Sequence, residues 1–297
     1  MRERVIGAAG VVVVGLVPII SGGPVFAVMM TLLCLIGYRE YLTIASLIGT
    51  RSTASGYVIV PLFAIVAWTG FSARGLLATC ALAVALPLWR ALVRSADGRP
   101  ASLVDWGLGT AGTFYLGLPL LAAIELRQTG GPVSEASAAW VTGLAGALAG
   151  DWVTHPRGLA WLLSLVLLTW GADTGAFLVG RRFGRRLLMP AVSPKKTVEG
   201  AAGGIAAAAA TMTIASAVFG LGLPTVAAVA IGCVLGAAGQ VGDLAQSLMK
   251  RQAGVKDSGT LIRGHGGVLD RIDALVVVLV AGLFVRDFAD VLWAPGS

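Results

Sequence analysis

Long runs of apolar residues recur along almost the whole chain and limit what it can fold into. A membrane-crossing helix needs about 20 mostly apolar residues. Such runs lie at 5–21, 24–43, 55–71, 75–93, 107–125, 158–180, 200–221, 223–249 and 267–292. Only 12% of the 297 residues are charged, about half the roughly 25% typical of soluble domains. We therefore predict an all-α, polytopic integral membrane protein with about nine transmembrane helices.

The Lys and Arg residues predict the orientation of these helices. All but four of the 22 basic residues fall in alternate loops, at 1–4, 39–54, 90–100, 181–196 and 250–271. The exceptions are Arg74, Arg127, Arg157 and Arg286. By the positive-inside rule, the basic loops are cytoplasmic. This places the N-terminus on the cytoplasmic side of a cell (inner) membrane. It also explains the net charge of +7 without a nucleic-acid partner.

The organisation along the chain has three parts. Residues 1–126 hold the N-terminal helices, expected to act as scaffold or lipid access. Residues 127–157 form an outer-side loop with a short apolar run, interpreted as re-entrant or interfacial. Residues 158–297 hold the helices that carry most of the notable charges. Faces rich in small residues suit a homodimer, and they suit internal helix packing equally well.

Carboxylates enter the apolar runs at the ends expected to be cytoplasmic, namely at Asp173, Asp243, Asp270 and Asp273. Ionisable groups are costly in a membrane, so they mark candidate functional sites. We expect them to converge in one cytoplasm-facing cavity, where their hard oxygen ligands favour Mg²⁺ over zinc. The alternative is a set of structural salt bridges, pairing Asp270 with Arg271 and Asp243 with Lys250.

Two basic, glycine-containing loops accompany these acids. One runs from Arg181 to Gly200 through Ser193-Pro194-Lys195-Lys196-Thr197; the other runs from Lys250 to Gly267. Basic side chains and close-approaching backbone are what a polyphosphate needs. Two plainer interpretations stay open. The arginines from Arg181 to Arg186 could be topological anchors, and Thr197 could cap the following helix with Gly200 in its first turn.

An ordered signature covers the second of these loops: Ser247-x2-Lys250-Arg251-x4-Lys256-Asp257-x-Gly259-x2-Ile262-x2-His265-Gly266-Gly267-x2-Asp270-Arg271-x-Asp273. It closely resembles the signature of the phosphatidate cytidylyltransferase (CDP-diglyceride synthase) family. Asp173-Thr174-Gly175-Ala176, Gly180-Arg181-Arg182-Phe183-Gly184 and Ser193-Pro194-Lys195-Lys196-Thr197 match the same family. Arg263 stands where the family usually has Pro, and Val198 stands where Trp is common.

The resemblance implies that CTP and phosphatidic acid react at the bilayer to give CDP-diacylglycerol and pyrophosphate. It implies Asp243 and Asp270 as ligands of Mg²⁺, with room for a second cation. The expected catalytic residues are Asp243, Asp270, Lys250 and Asp173. The residues expected to bind substrate phosphates are Ser193, Lys195, Lys196, Thr197, Ser247, Arg251, Lys256, His265, Gly266, Gly267 and Arg271.

Other functions compete with this one. A CTP-dependent enzyme acting on another lipid would share the chemistry. A cation-coupled transporter with an intramembrane carboxylate site would come from a different class. Transporters often carry internal repeats with broken helices in both halves, whereas the notable charges here lie in one half and on one side. This distribution favours the enzyme.

Overall fold

The computed structural model describes residues 15–50, 54–98, 102–131, 155–261 and 266–293, with isolated positions at 133, 139, 141, 143 and 146. Within these ranges the chain is almost entirely helical, and residues 15–21 are helical as well. The elements are, in order, α1 (Gly23–Leu47), α2 (Gly56–Trp68), α3 (Ala73–Ala96), α4 (Leu103–Arg127), α5 (Pro156–Phe183), β1 (Leu187–Met189), β2 (Ser193–Thr197), α6 (Val198–Phe219), α7 (Thr225–Gln252) and α8 (Leu269–Trp293).

Six of these helices, α1 and α3 to α7, are long and apolar enough to cross a membrane. They coincide with predicted runs, so the all-α, multi-pass prediction is confirmed. The run at 55–71 differs, because α2 has only 13 residues and spans about 20 Å, less than the roughly 30 Å of a bilayer core. The ninth run is helical as α8 but lies outside the six, and the first run lies partly outside the described residues.

A short β-hairpin interrupts the helices after α5. Strand β1 pairs antiparallel with β2, with Leu187 opposite Thr197 and Met189 opposite Ser193. The turn is closed by the Val192 N–H, which donates to the Met189 carbonyl at 3.0 Å. The sequence predicted only a basic loop at this place, so the strand character of the Ser-Pro-Lys-Lys-Thr segment is a structural finding.

The chain divides into two compact units. The first contains Phe26–Glu125 and Met249–Ile272; the second contains Leu16–Val25, Leu126–Leu248 and the described residues of Asp273–Ser297. In the first unit, buried Tyr38, Ile59, Phe63 and Leu116 form part of the core. Glycines also occur in this core, where small residues let helices approach closely.

Helices α5 and α6 pack tightly against each other in the second unit. A Cβ on Gly175 would overlap Ala207, and one on Gly203 would overlap Val179. Gly175 and Gly203 therefore permit the close approach of the two helices. The consequence for the site is that the ends of α5 and α6 next to the hairpin are held close together.

Candidate active site

The hairpin is fixed to the beginning of α6 by local hydrogen bonds. The Thr197 hydroxyl accepts from the Gly200 N–H at 3.1 Å and caps α6, as one interpretation of the sequence predicted. The Glu199 carboxylate accepts from the backbone N–H groups of Arg185 at 3.0 Å and Arg186 at 3.2 Å. The Val198 N–H donates to the Arg186 carbonyl at 2.9 Å. Together these bonds set the position of the basic strand β2.

A cavity of about 480 Å³ lies beside this hairpin, within the second unit. Most of its wall is apolar and comes from α5, α6, α7 and α8. The charged residues that line it are Asp173, Arg181, Lys195, Lys196 and Asp243. Of the four carboxylates expected to converge, Asp173 and Asp243 line this cavity, together with basic residues from the matched segments on α5 and β2.

Asp243 forms an ion pair with Lys196 in this cavity, through its Oδ2 atom. The side chains are about a quarter exposed, at 25% for Asp243 and 28% for Lys196, but the Nζ atom of Lys196 is itself buried. The Ser247 hydroxyl donates to Asp243 Oδ1 at a long 3.4 Å. The expected alternative pairing of Asp243 with Lys250 is wrong, because the partner comes from β2 and not from the same helix.

Asp270 lies in the first unit, in the first turn of α8. Its Oδ1 accepts from Lys250 Nζ at 2.7 Å, and its Oδ2 accepts from the N–H groups of Ser258 at 2.7 Å and Gly267 at 3.0 Å. The proposed alternative partner Arg271 does not form this pair.

The glycines of the signature leave room for these carboxylates. Gly266 has a φ of +80°, a left-handed conformation that favours glycine. A Cβ on Gly266 would overlap Asp270 Oδ2, and one on Gly267 would overlap Glu40 Oε2 and the Ser258 hydroxyl. The structure therefore gives both glycines a local packing reason, beside the phosphate contact expected from the sequence.

Glu40 was missed by the sequence reasoning. It lies in α1 at 8% exposure, and it accepts hydrogen bonds from the Val268 and Leu269 N–H groups and from the Ser258 hydroxyl. The available signal was a lone acid inside the apolar run 24–43.

The other expected site residues are placed as follows. Ser193 opens β2 and is half-buried, whereas Arg251, Lys256 and Arg271 are exposed in the first unit. The Arg251 guanidinium donates to the Val255 carbonyl at 3.4 Å. His265 lies outside the described residues, as does most of the predicted outer-side run within 127–157.

Comparison with known proteins supplies the family. The model of the cytidylyltransferase family matches residues 2–288. The chain belongs to this family. A phosphatidate cytidylyltransferase of Synechocystis sp. is 30% identical over 92% of this chain and 92% of that protein. Those of Bacillus subtilis and Pseudomonas aeruginosa are 43% and 39% identical, over 41% and 48% of this chain. The chain spans about half the length of several relatives, with 45% of the Bacillus protein and 50% of the Pseudomonas protein covered.

The donor set of the cavity suits a magnesium ion that also contacts a substrate. The described residues contain no group of three or more metal-binding side chains. Two carboxylates, Asp173 and Asp243, nevertheless line the cavity with the two lysines. Mg²⁺ is usually held by one or two carboxylates together with substrate phosphates. The residues present therefore fit Mg²⁺ that is bound jointly with a nucleotide.

Proposed function

We propose that this chain is a phosphatidate cytidylyltransferase, which converts CTP and phosphatidic acid to CDP-diacylglycerol and pyrophosphate. One observation carries the proposal: in a member of the cytidylyltransferase family, a cavity brings Asp173 and Asp243 together with Lys195 and Lys196. Both substrates are anionic, so the electrostatic repulsion between them is the main barrier to their reaction. Cationic groups positioned beforehand lower such a barrier.

The reaction is a displacement at the α-phosphorus of CTP. A phosphate oxygen of phosphatidic acid forms the new bond, while the bond from the α-phosphorus to the bridging oxygen of the β-phosphate breaks. Pyrophosphate leaves with that electron pair. The attacking monoester needs no general base, since its second pKa is about 6. Binding and orientation of the two phosphates are then the work of the protein.

The roles of the residues follow from where they lie. Lys195, Lys196 and Arg181 supply cationic donors to phosphate oxygens in the cavity. Lys250, Arg251, Lys256 and Arg271 are the further phosphate-binding candidates. Ser193, Thr197, Ser247, Gly266, Gly267 and His265 complete the set expected from the signature.

Magnesium would be held in the cavity by Asp243, with Asp173 as the second carboxylate there. Asp270 is a separate metal-ligand candidate, which the family resemblance implies and which lies in the first unit. When bound, magnesium would neutralise negative charge on the phosphate oxygens. The ion pair of Asp243 with Lys196 supports this role for Asp243, because Lys196 can turn to a phosphate when Asp243 binds a cation. Asp243 and Asp270 belong to different units, so Asp270→Asn is measured separately from Asp243→Asn, and each variant is expected to abolish turnover.

The test is a direct assay of the purified protein with Mg²⁺, radiolabelled CTP and phosphatidic acid. We expect CDP-diacylglycerol from the wild type, and its absence would refute the proposed activity. Replacing phosphatidic acid with another lipid phosphate identifies a related enzyme if only that substrate reacts.

The Asp243→Asn variant tests the site within the same assay. We expect turnover to fall at least 100-fold with normal membrane insertion, because the carboxylate that faces Lys196 loses its charge. Asp97→Asn is the matched control, since Asp97 is exposed at the end of α3, and it should stay within twofold of the wild type. Near-normal turnover of Asp243→Asn would refute the role of Asp243 and leave the activity itself standing.

A further inference from the structure

A buried acid in α1 binds the beginning of α8 within the first unit. Glu40 Oε1 accepts from the Val268 N–H at 2.9 Å, and Oε2 accepts from the Leu269 N–H at 3.0 Å. The first N–H groups of a helix have no partner within the helix, and its N-terminus favours negative charge. A charged group inside an apolar helix is costly unless it finds such partners. Glu40 therefore anchors the start of α8.

Glu40 and Asp270 share one neighbour. The Ser258 hydroxyl lies 2.9 Å from Glu40 Oε2 and 3.0 Å from Asp270 Oδ2. The Ser258 and Gly267 N–H groups also donate to Asp270, and Gly267 directly precedes the two residues whose N–H groups bind Glu40. The same short pieces of backbone thus hold both carboxylates.

The fit around Glu40 is tight. A Cβ on Gly267 would overlap Glu40 Oε2, and a Cβ on Gly259 would come within 2.8 Å of Glu40 Oε1. Two glycines of the signature are therefore required by a residue that lies far outside the signature. This arrangement packs the carboxylate of Glu40 closely against the backbone that surrounds Asp270.

We propose that Glu40 is a positioning residue for the reaction: it holds the backbone at Ser258 and Gly267 so that Asp270 and its partner Lys250 keep one geometry. This inference rests on the proposed function for its catalytic consequence. Glu40 acts through Asp270, and it is not itself assigned any contact with substrate.

The substitution Glu40→Gln separates this role from simple space filling. Gln keeps the size of the side chain, but its amide nitrogen is a donor and would face a backbone N–H group. Two donors that face each other cannot form a hydrogen bond, so the buried backbone N–H group would lose its acceptor and the two N–H groups would repel each other. Tyr41→Phe is the matched control, because Tyr41 is buried in the same helix and donates one hydrogen bond, to the Leu108 carbonyl at 2.8 Å.

The first measurement is steady-state kinetics. We expect Glu40→Gln to lower kcat at least tenfold relative to Tyr41→Phe, with KM for CTP changed less than threefold, because the altered geometry affects the reacting state more than nucleotide binding. Ser258→Ala should lower kcat about threefold, and it decides the question if Glu40→Gln does not insert. The proposal would be overturned if the kcat of Glu40→Gln were no lower than that of Tyr41→Phe. If Glu40→Gln does not insert, the same criterion applies to the kcat of Ser258→Ala.

The second measurement is amide hydrogen exchange, which needs no substrate. Glu40→Gln should speed exchange at Ser258, Gly267, Val268 and Leu269, whereas Tyr41→Phe should leave these amides unchanged. Unchanged exchange at them in Glu40→Gln would overturn the anchoring role even if the enzyme is active. Conversely, a wild type with no activity on CTP and phosphatidic acid, but with the expected exchange, would refute the proposed function and retain the anchor.

Discussion

At the scale of residues, each key carboxylate is joined to a lysine. Asp243 pairs with Lys196 in the second unit, and Asp270 pairs with Lys250 in the first. The side chains of the first pair are about a quarter exposed, whereas Asp270 is 6% exposed and Lys250 13%. The first pair lines the cavity in which the cation and the phosphate are proposed to bind. The second is held by backbone N–H groups as well, and is better suited to keeping a fixed geometry.

Gly267→Ala tests how little room this geometry leaves. Because the added Cβ would overlap Glu40 and Ser258, we expect a loss of stability of about 1–3 kcal/mol, typical of overpacking, and at least a tenfold loss of turnover. Thermal unfolding and the CTP assay measure the two effects. Gly107→Ala is the control, since a Cβ there meets no atom within 4 Å. Equal behaviour of the two variants would contradict the close packing.

Helical spacing explains which contacts were predictable at this scale. Residues one or two turns apart on a helix share a face, and this spacing accounts for the contact of Ser247 with Asp243. The partner of Asp243 comes instead from strand β2, and the partners of Glu40 come from the loop before α8. Such contacts depend on tertiary packing. A single sequence reveals the acids and the lysines, but not how they are paired.

At the scale of elements, the hairpin between α5 and α6 organises the cavity. Apolar length predicted six of the helices well, because about 20 residues must match the bilayer thickness. Strands β1 and β2 have 3 and 5 residues, too few for an alternating pattern to be recognised. The hairpin is held by Glu199 and Thr197 rather than by a long ladder. The hairpin was therefore not predictable from the sequence, although its lysines could be proposed as phosphate-binding residues.

Two helix caps allow a prediction for this element. The Thr197 hydroxyl caps α6 beside the cavity, and the Ser72 hydroxyl caps α3 by accepting from the Gly75 N–H at 2.9 Å. Losing such a cap costs about 1 kcal/mol, so Thr197→Ala and Ser72→Ala should lower thermal stability by similar amounts. Only Thr197→Ala should also lower turnover, about three- to tenfold, because Thr197 lines the cavity. Equal turnover in the two variants would argue against any contact of Thr197 with substrate.

At the scale of the whole molecule, three of the four exceptions to the positive-inside pattern have structural partners. Arg127 is buried and donates to the carbonyls of Ile19 at 2.6 Å and Ile20 at 3.1 Å. Arg157 pairs with Asp290, and Arg286 donates to the Thr129 hydroxyl. These three arginines serve the packing of the second unit. Unlike the exposed arginines between α5 and β1, they are used in packing. If they are left out of the count, the bias of Lys and Arg toward the predicted cytoplasmic loops is stronger than the sequence count suggests.

This bias leads to a prediction about orientation, which the proposed function also requires because CTP is cytoplasmic. In the Arg182→Cys variant, the new cysteine is exposed next to the hairpin. A membrane-impermeant maleimide should label it in inside-out vesicles but not in intact cells. Thr69→Cys, exposed between α2 and α3, should show the opposite pattern. The wild type measures background labelling of Cys34, Cys80 and Cys233, which are half-buried. A reversed pattern would place the hairpin on the outer side, away from the nucleotide, and neither the orientation nor the proposed reaction would survive it.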